Sequence, residues 1–225
     1  VNNSLAALAH IPETTEVLVF TDADALPEPD WLRCLVGPLE DSALTVSTGF
    51  RWYLPGPSFV SQLRAAWDTS IATYMGDHNH NFAWGGSMAI RRTEFERCNI
   101  NAVWQRTVSD DYALTDAVRR AGGVIRFEPR CLLASHEDSS LGNFLRWTNR
   151  QIIITRVYAA HLWRMGLLAY LNYCFTFLVG FLLIARSLLE RPMQGGAAGS
   201  VAGVLILIQL LGMAKGMIRQ QVAAM

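Results

Sequence analysis

Apolar and polar positions along the chain fall into three regimes. The first, up to about residue 142, alternates short apolar runs with turn residues. Residues 17–20 are apolar without alternation, which predicts a strand buried on both faces, as in a parallel sheet covered by helices. Residues 44–50 predict a second strand with partial alternation, residues 124–128 predict another short strand, and residues 132–135 lead to His136. Helical spacing lies between them. Asn3 or Ser4 can cap a short helix over 5–10 that Pro12 ends. Residues 30–40 predict a helix with Trp31, Leu32, Leu35 and Leu39 inward. Residues 58–75 predict an amphipathic one with Phe59, Leu63, Ala66, Trp67, Ser70, Ile71 and Tyr74 on its inner face. Ser109 is the expected cap of a further helix, which Gly122 and Gly123 end.

The second regime, residues 143–164, mixes Phe144, Leu145, Trp147, Ile152, Ile154 and Val157 with Arg146, Arg150, Arg156 and Arg164. Basic and aromatic residues on an amphipathic helix suit a membrane surface. The third regime holds two uncharged stretches, 165–185 and 197–214, and about 20 such residues span a bilayer. Arginines at both outer ends, with Lys215, place those ends in the cytoplasm by the positive-inside rule, against the pull of Arg186 and Arg191 between the spans.

Composition adds bounds. A formal net charge of zero gives no basic field for nucleic acid. The mean hydropathy of +0.20 reflects mainly the last third. Cys34, Cys98, Cys131 and Cys174 show no C-x-x-C spacing and read as reduced thiols. The chain opens on Val1, Asn2 and Asn3 and runs into what looks like the middle of a domain; we expect a fragment whose N-terminal part is missing.

Candidate chemistry sits where apolar runs stop. Asp22 and Asp24 follow the first strand at its C-terminal end, the edge where open α/β sheets bind ligands. Two acids this close repel unless something positive sits between them. A divalent cation such as Mg²⁺, bound through carboxylates and a substrate phosphate, is the usual partner. Turn and cap duty before Asp30 is the alternative. Gly85 and Gly86, with Ser87 after them, allow close backbone approach to a ligand, or simply make a hairpin or a strand-to-helix turn. Asp110 and Asp111 fall in the first turn of a helix, where capping and the macrodipole alone account for both. His78 and His80 lie in a polar loop whose spacing favours a plain loop over a metal site.

Taken in order, Asn2 and Asn3, Asp22 and Asp24, Gly85 to Ser87, Asp110 and Asp111, then Arg146 and Trp147 before two spans resemble the membrane-bound family 2 glycosyltransferases. The look is nearest to the ceramide glucosyltransferases, with cellulose and hyaluronan synthases sharing the layout. The resemblance implies a GT-A (Rossmann-like) nucleotide-sugar-binding α/β domain over residues 1–142, an interfacial helix over 143–164 and two transmembrane helices over 165–225. It implies a UDP-linked sugar donor, a lipid or glycan acceptor, and Mg²⁺ or Mn²⁺ on Asp22 and Asp24, with His136 a lesser ligand candidate. Asp111 would be the catalytic base and Asp110 its flanking acid. Gly85, Gly86 and Ser87 would line the acceptor site, and Arg146 and Trp147 would stand beside the donor. Asn143 replaces the Gln or Arg that opens the family's last motif. The implied location is an integral membrane protein, in the inner membrane if bacterial, with its catalytic domain in the cytoplasm. Rival readings are a processive polysaccharide synthase, an inactive membrane-anchored fragment, and a D-x-D phosphatase.

Overall fold

The computed structural model describes residues 1–72, 75–77, 80–190 and 196–223. Their elements run α1 (Asn2–Leu8), β1 (Val17–Thr21), α2 (Trp31–Val36), a 3₁₀ turn (Gly37–Glu40), β2 (Val46–Pro55), α3 (Phe59–Ala72), β3 (Ser87–Arg91), α4 (Arg92–Arg97), α5 (Ile100–Trp104), α6 (Asp110–Arg120), β4 (Ile125–Glu137), α7 (Leu141–Tyr158), α8 (Ala160–Glu190) and α9 (Gly196–Ala223). The chain divides into two compact units, Val1–Thr148 and Asn149–Met225. That division falls inside α7.

In the first unit four strands form one mixed sheet in the order β1-β3-β2-β4. β3 is antiparallel to both its neighbours, and β2 is parallel to β4. Alternate residues send their side chains to opposite faces. Leu18, Met88, Ile90, Val46 and Ile125 meet Phe95, Ile100, Trp104, Leu114 and Val118 of α4 to α6 on one face. Ala89, Cys131 and Leu133 meet Trp31, Leu35 and Leu39 on the other. The result is helices on both sides of a sheet.

Several expectations change. β1 is not a strand buried on both faces in a parallel sheet. It is an antiparallel edge strand, and only Leu18 in it is buried. An unbroken apolar run signals apolar neighbours but not strand direction. β3, whose residues Ser87 to Ile90 are all buried, takes the central place instead. α1 starts earlier than expected and has no side-chain cap from Asn3 or Ser4. Leu32 is exposed. The face of α3 is also reversed: Ser61, Arg64, Ala65, Asp68 and Thr69 are buried, while Phe59 and Leu63 are exposed. Tyr74, expected on that helix, lies outside the described residues.

In the second unit α8 begins at Ala160, so residues 160–164 belong to it rather than to the amphipathic helix. Ala160–Ser187 and Gly199–Ile218 are long and apolar enough to cross a membrane. Gly180 lets Leu205 pack directly on the α8 backbone, and Gln209 donates a hydrogen bond to Tyr173 between the same two helices.

β2 changes its pairing register with β4 between Thr48 and Phe50, and Gly49 stands at that irregularity. A Cβ at Gly49 would lie 1.9 Å from the carbonyl oxygen of Cys131. Neither strand can yield without breaking the ladder. Gly49→Ala is expected to destabilise the protein by at least about 2 kcal/mol. Thermal unfolding of the purified variant checks this; an unchanged midpoint would show that the bulge relaxes freely.

Candidate active site

The loop after β1 and the loop before β3 meet because β1 and β3 pair up to Thr21 and Ser87. The ladder carries on for one bond, from the Asp22 N–H to the Gly86 carbonyl at 3.4 Å. Gly86 is needed for this approach. A Cβ there would sit 2.1 Å from the Trp84 ring and 2.6 Å from Asp22 Oδ2. Gly85 faces the next acid: a Cβ on it would be 3.1 Å from Asp110 Oδ1. Asp22, Gly86, Gly85 and Asp110 are thus brought together at one end of the sheet. The side chain of Ser87 is turned inward. It is fully buried, accepts a hydrogen bond from Trp31 Nε1 at 2.9 Å, and faces the Cys131 carbonyl. Its side chain is placed in the core, whereas Gly85 and Gly86 face the acids.

A positive group does stand between Asp22 and Asp24, and the chain itself supplies it. Arg51, on β2, donates to Asp22 Oδ2 and to Asp24 Oδ1, both at 2.9 Å. Its guanidinium lies 5.7 Å from the Trp84 ring centre and 5.9 Å from that of Tyr53. One guanidinium serves both acids, yet they shift in opposite directions. Asp22 is half-buried, and loss of water, with Asp24 and Asp110 nearby, raises its carboxyl above the ordinary range despite Arg51. Asp24 stands in solvent, where the Arg51 hydrogen bond and charge lower it. Burial pulls against the Arg51 charge, but Asp24, Tyr53 and Asp22 more than offset it and hold the guanidinium above its usual value. The signal for Arg51 in the sequence was a single charged residue inside an otherwise uncharged strand.

Asp110 and Asp111 begin α6 as expected, but Ser109 does not cap it with its side chain. The Ser109 hydroxyl donates to Asp111 Oδ1 instead. The protein packed around Asp111 pushes its carboxyl up, and that hydroxyl pulls it partly back. Asp111 Oδ1 also takes the Tyr112 N–H at 2.7 Å.

Behind Arg51 lies a buried polar group that spacing alone did not reveal. Arg64 is 7% exposed and donates to Tyr53 Oη and Ser139 Oγ, both at 2.8 Å. It lies 4.4 Å from the Tyr53 ring centre and 4.9 Å from that of Trp147. One turn further on α3, Asp68 is 5% exposed, and its Oδ2 has no hydrogen-bond partner. Burial pushes the Asp68 carboxyl up to about 7, against the charges of Arg64 and Arg51. Trp147 therefore joins the site's second layer. Arg146 does not: it is exposed and donates to Asn143 in its own helix.

His136 sits near the end of β4 opposite Leu54 and is exposed. Among the described residues no three His, Cys, Asp or Glu side chains gather as a ligand set, so His136 is not brought to Asp22 and Asp24. His80 bonds Asp77 at 3.1 Å, and His78 lies outside the described residues.

The sequence profile of glycosyl transferase family 21 matches residues 1–222. The chain belongs to that family. Its order of motifs pointed to family 2; the family shown is 21, and the class, a glycosyltransferase, is the one expected. A member moves a sugar from a nucleotide-sugar donor to an acceptor. No curated protein matches the chain.

Asp68 gives a testable sign. Its folded-state affinity for a proton is raised, so its stability contribution is full below the ordinary carboxylate range and is lost as pH climbs towards about 7. Asn mimics the neutral form. Asp68→Asn is expected to match the parent in thermal stability near about pH 4 and to exceed it near about pH 8, by on the order of a few kcal/mol. A stability difference that does not vary with pH would refute a buried, ionising Asp68.

Proposed function

We propose that this family 21 member is a metal-dependent, inverting glycosyltransferase with a GT-A donor domain. It takes a UDP-linked sugar and passes it to a lipid acceptor at the membrane surface, as a ceramide glucosyltransferase does. The observation that carries the reading is the meeting of two acid pairs: Asp22 and Asp24 after β1, and Asp110 and Asp111 at the start of α6, joined through Gly85 and Gly86.

Asp22 and Asp24 offer an all-oxygen donor set, the kind that suits Mg²⁺ or Mn²⁺. Each carboxylate has about four lone-pair sites, so one bond to Arg51 leaves capacity for a cation. When bound, such a cation offsets the charge that builds on the diphosphate as the sugar leaves. Asp111 takes the proton from the acceptor hydroxyl. A base works best when its pKa is near the working pH, and burial moves Asp111 that way. With the base opposite the leaving diphosphate, a single displacement inverts the anomeric centre. Gly85 and Gly86 let the acceptor approach the backbone between the two acid pairs.

The helix α7 supports a membrane-surface acceptor. Leu145, Ile152, Ile153 and Val157 are exposed along with Arg146 and Arg150, as an interfacial helix needs. In this reading residues 1–164 and the C-terminus are cytoplasmic, and α8 and α9 cross the bilayer. Cysteines engineered at residues 186–190 should then label from outside intact cells only; labelling solely from the cytoplasmic side would overturn the arrangement.

Membranes carrying the full-length protein should transfer label from a UDP-sugar into extractable lipid, and EDTA should abolish the transfer. Asp111→Asn should lower turnover by about 10²–10⁴ while folding and nucleotide binding persist. Asp110→Asn should cost less. Turnover in the parent enzyme should fall as pH drops through the raised Asp111 pKa, because only the carboxylate accepts a proton. If Asp111→Asn loses activity only in proportion to lost folded protein, the residue is a cap and the mechanism fails.

A further inference from the structure

Arg51 has no place in the mechanism above, yet it makes the closest contacts in the donor end of the site. A guanidinium cannot shed its proton in a protein, so its charge needs partners in every state. Asp22 and Asp24 are those partners in this structure. They are also the groups that a divalent cation needs. A cation arriving alone would meet a fixed positive charge hydrogen-bonded to both of its ligands. A cation arriving with a diphosphate brings a new anion that Arg51 can accept.

We propose that Arg51 is a donor-binding residue: it holds Asp22 and Asp24 in place before the donor binds, and turns to the donor diphosphate when a divalent cation takes the acids. This rests on the nucleotide-sugar reading of the same site. The surroundings of Arg51 fit a group that changes partners. Its guanidinium lies beside the faces of Tyr53 and Trp84, which favour a cation without fixing its hydrogen bonds. A guanidinium also binds two phosphate oxygens as readily as two carboxylate oxygens, because its fork geometry matches both. The consequence is ordered binding: cation and donor enter together, and the cation alone binds poorly.

The test uses the full-length protein in detergent, with Mn²⁺ and UDP as probes, and reads binding rather than turnover. Mn²⁺ affinity is followed by electron paramagnetic resonance, and UDP affinity by calorimetry at saturating Mn²⁺. Arg51→Gln is expected to bind Mn²⁺ alone about tenfold or more tighter than the parent, since a like charge is gone. The same variant is expected to bind UDP with Mn²⁺ about tenfold or more weaker, since a charge-assisted bond is lost. Opposite directions in one variant are the signature. Arg51→Lys keeps the charge but not the fork, and should fall between the two in both assays; it stands in if Arg51→Gln does not fold. Parallel weakening of both affinities, or no change in either, overturns the proposal. A parent protein that binds no UDP with Mn²⁺ overturns the nucleotide-sugar reading itself, and the two failures are thus told apart.

Discussion

Like charges crowded at one end of a sheet are the constraint on which the rest of this unit depends. Asp24 and Asp110 each raise the cost of ionising Asp22, and Asp110 does the same to Asp111. Such a group persists only if the backbone forces the acids together and something positive answers them. The backbone part is the β1–β3 ladder with Gly86 at its end, where any side chain would strike Asp22 or Trp84. The positive part is Arg51, delivered by β2 from the other side of β3. The mixed strand order therefore matters for the site. A parallel neighbour beside β1 would not have returned Gly85 and Gly86 to its C-terminal end.

The sequence made the acids visible and the arginine nearly invisible. Asp22 and Asp24 stand where an apolar run stops, and Asp110 and Asp111 stand where a helix starts, so local pattern marks each pair. Their meeting through Gly85 and Gly86 depends on strand pairing, which local pattern does not encode. The helices on both sides of the sheet follow from apolar spacing, and Trp31, Leu35 and Leu39 lie where that spacing puts them. Strand direction does not follow from it, which is why β1 was expected in a parallel, fully covered position. The long apolar helices were the easiest to read, because about 20 uncharged residues need no partner to be recognised.

The reversed face of α3 has the same root and a consequence for function. Helical spacing assigns the apolar stripe to the core, but here the core side is Ser61, Arg64, Asp68 and Thr69. Ser61 and Arg64 are worth burying because they have partners: Ser61 and Ser58 donate to Asp138, Ser139 N–H donates to Ser61, and Arg64 reaches Tyr53 and Ser139. Together these bonds tie α3 to the segment that leads into α7. The apolar stripe is left outside. Phe59 and Leu63 are exposed on α3, and Leu141 and Leu145 are exposed on α7. Trp67, Phe144 and Trp147 pack together between the two helices, with ring centres 6.4–6.5 Å apart. A soluble domain rarely leaves so much apolar surface in one region unless it meets a partner or a membrane. In an enzyme whose acceptor is a lipid, that region is where the acceptor would arrive. The polar layer beneath, Arg64 with Tyr53 and Trp147, links this apolar surface to Arg51, and through it to Asp22 and Asp24.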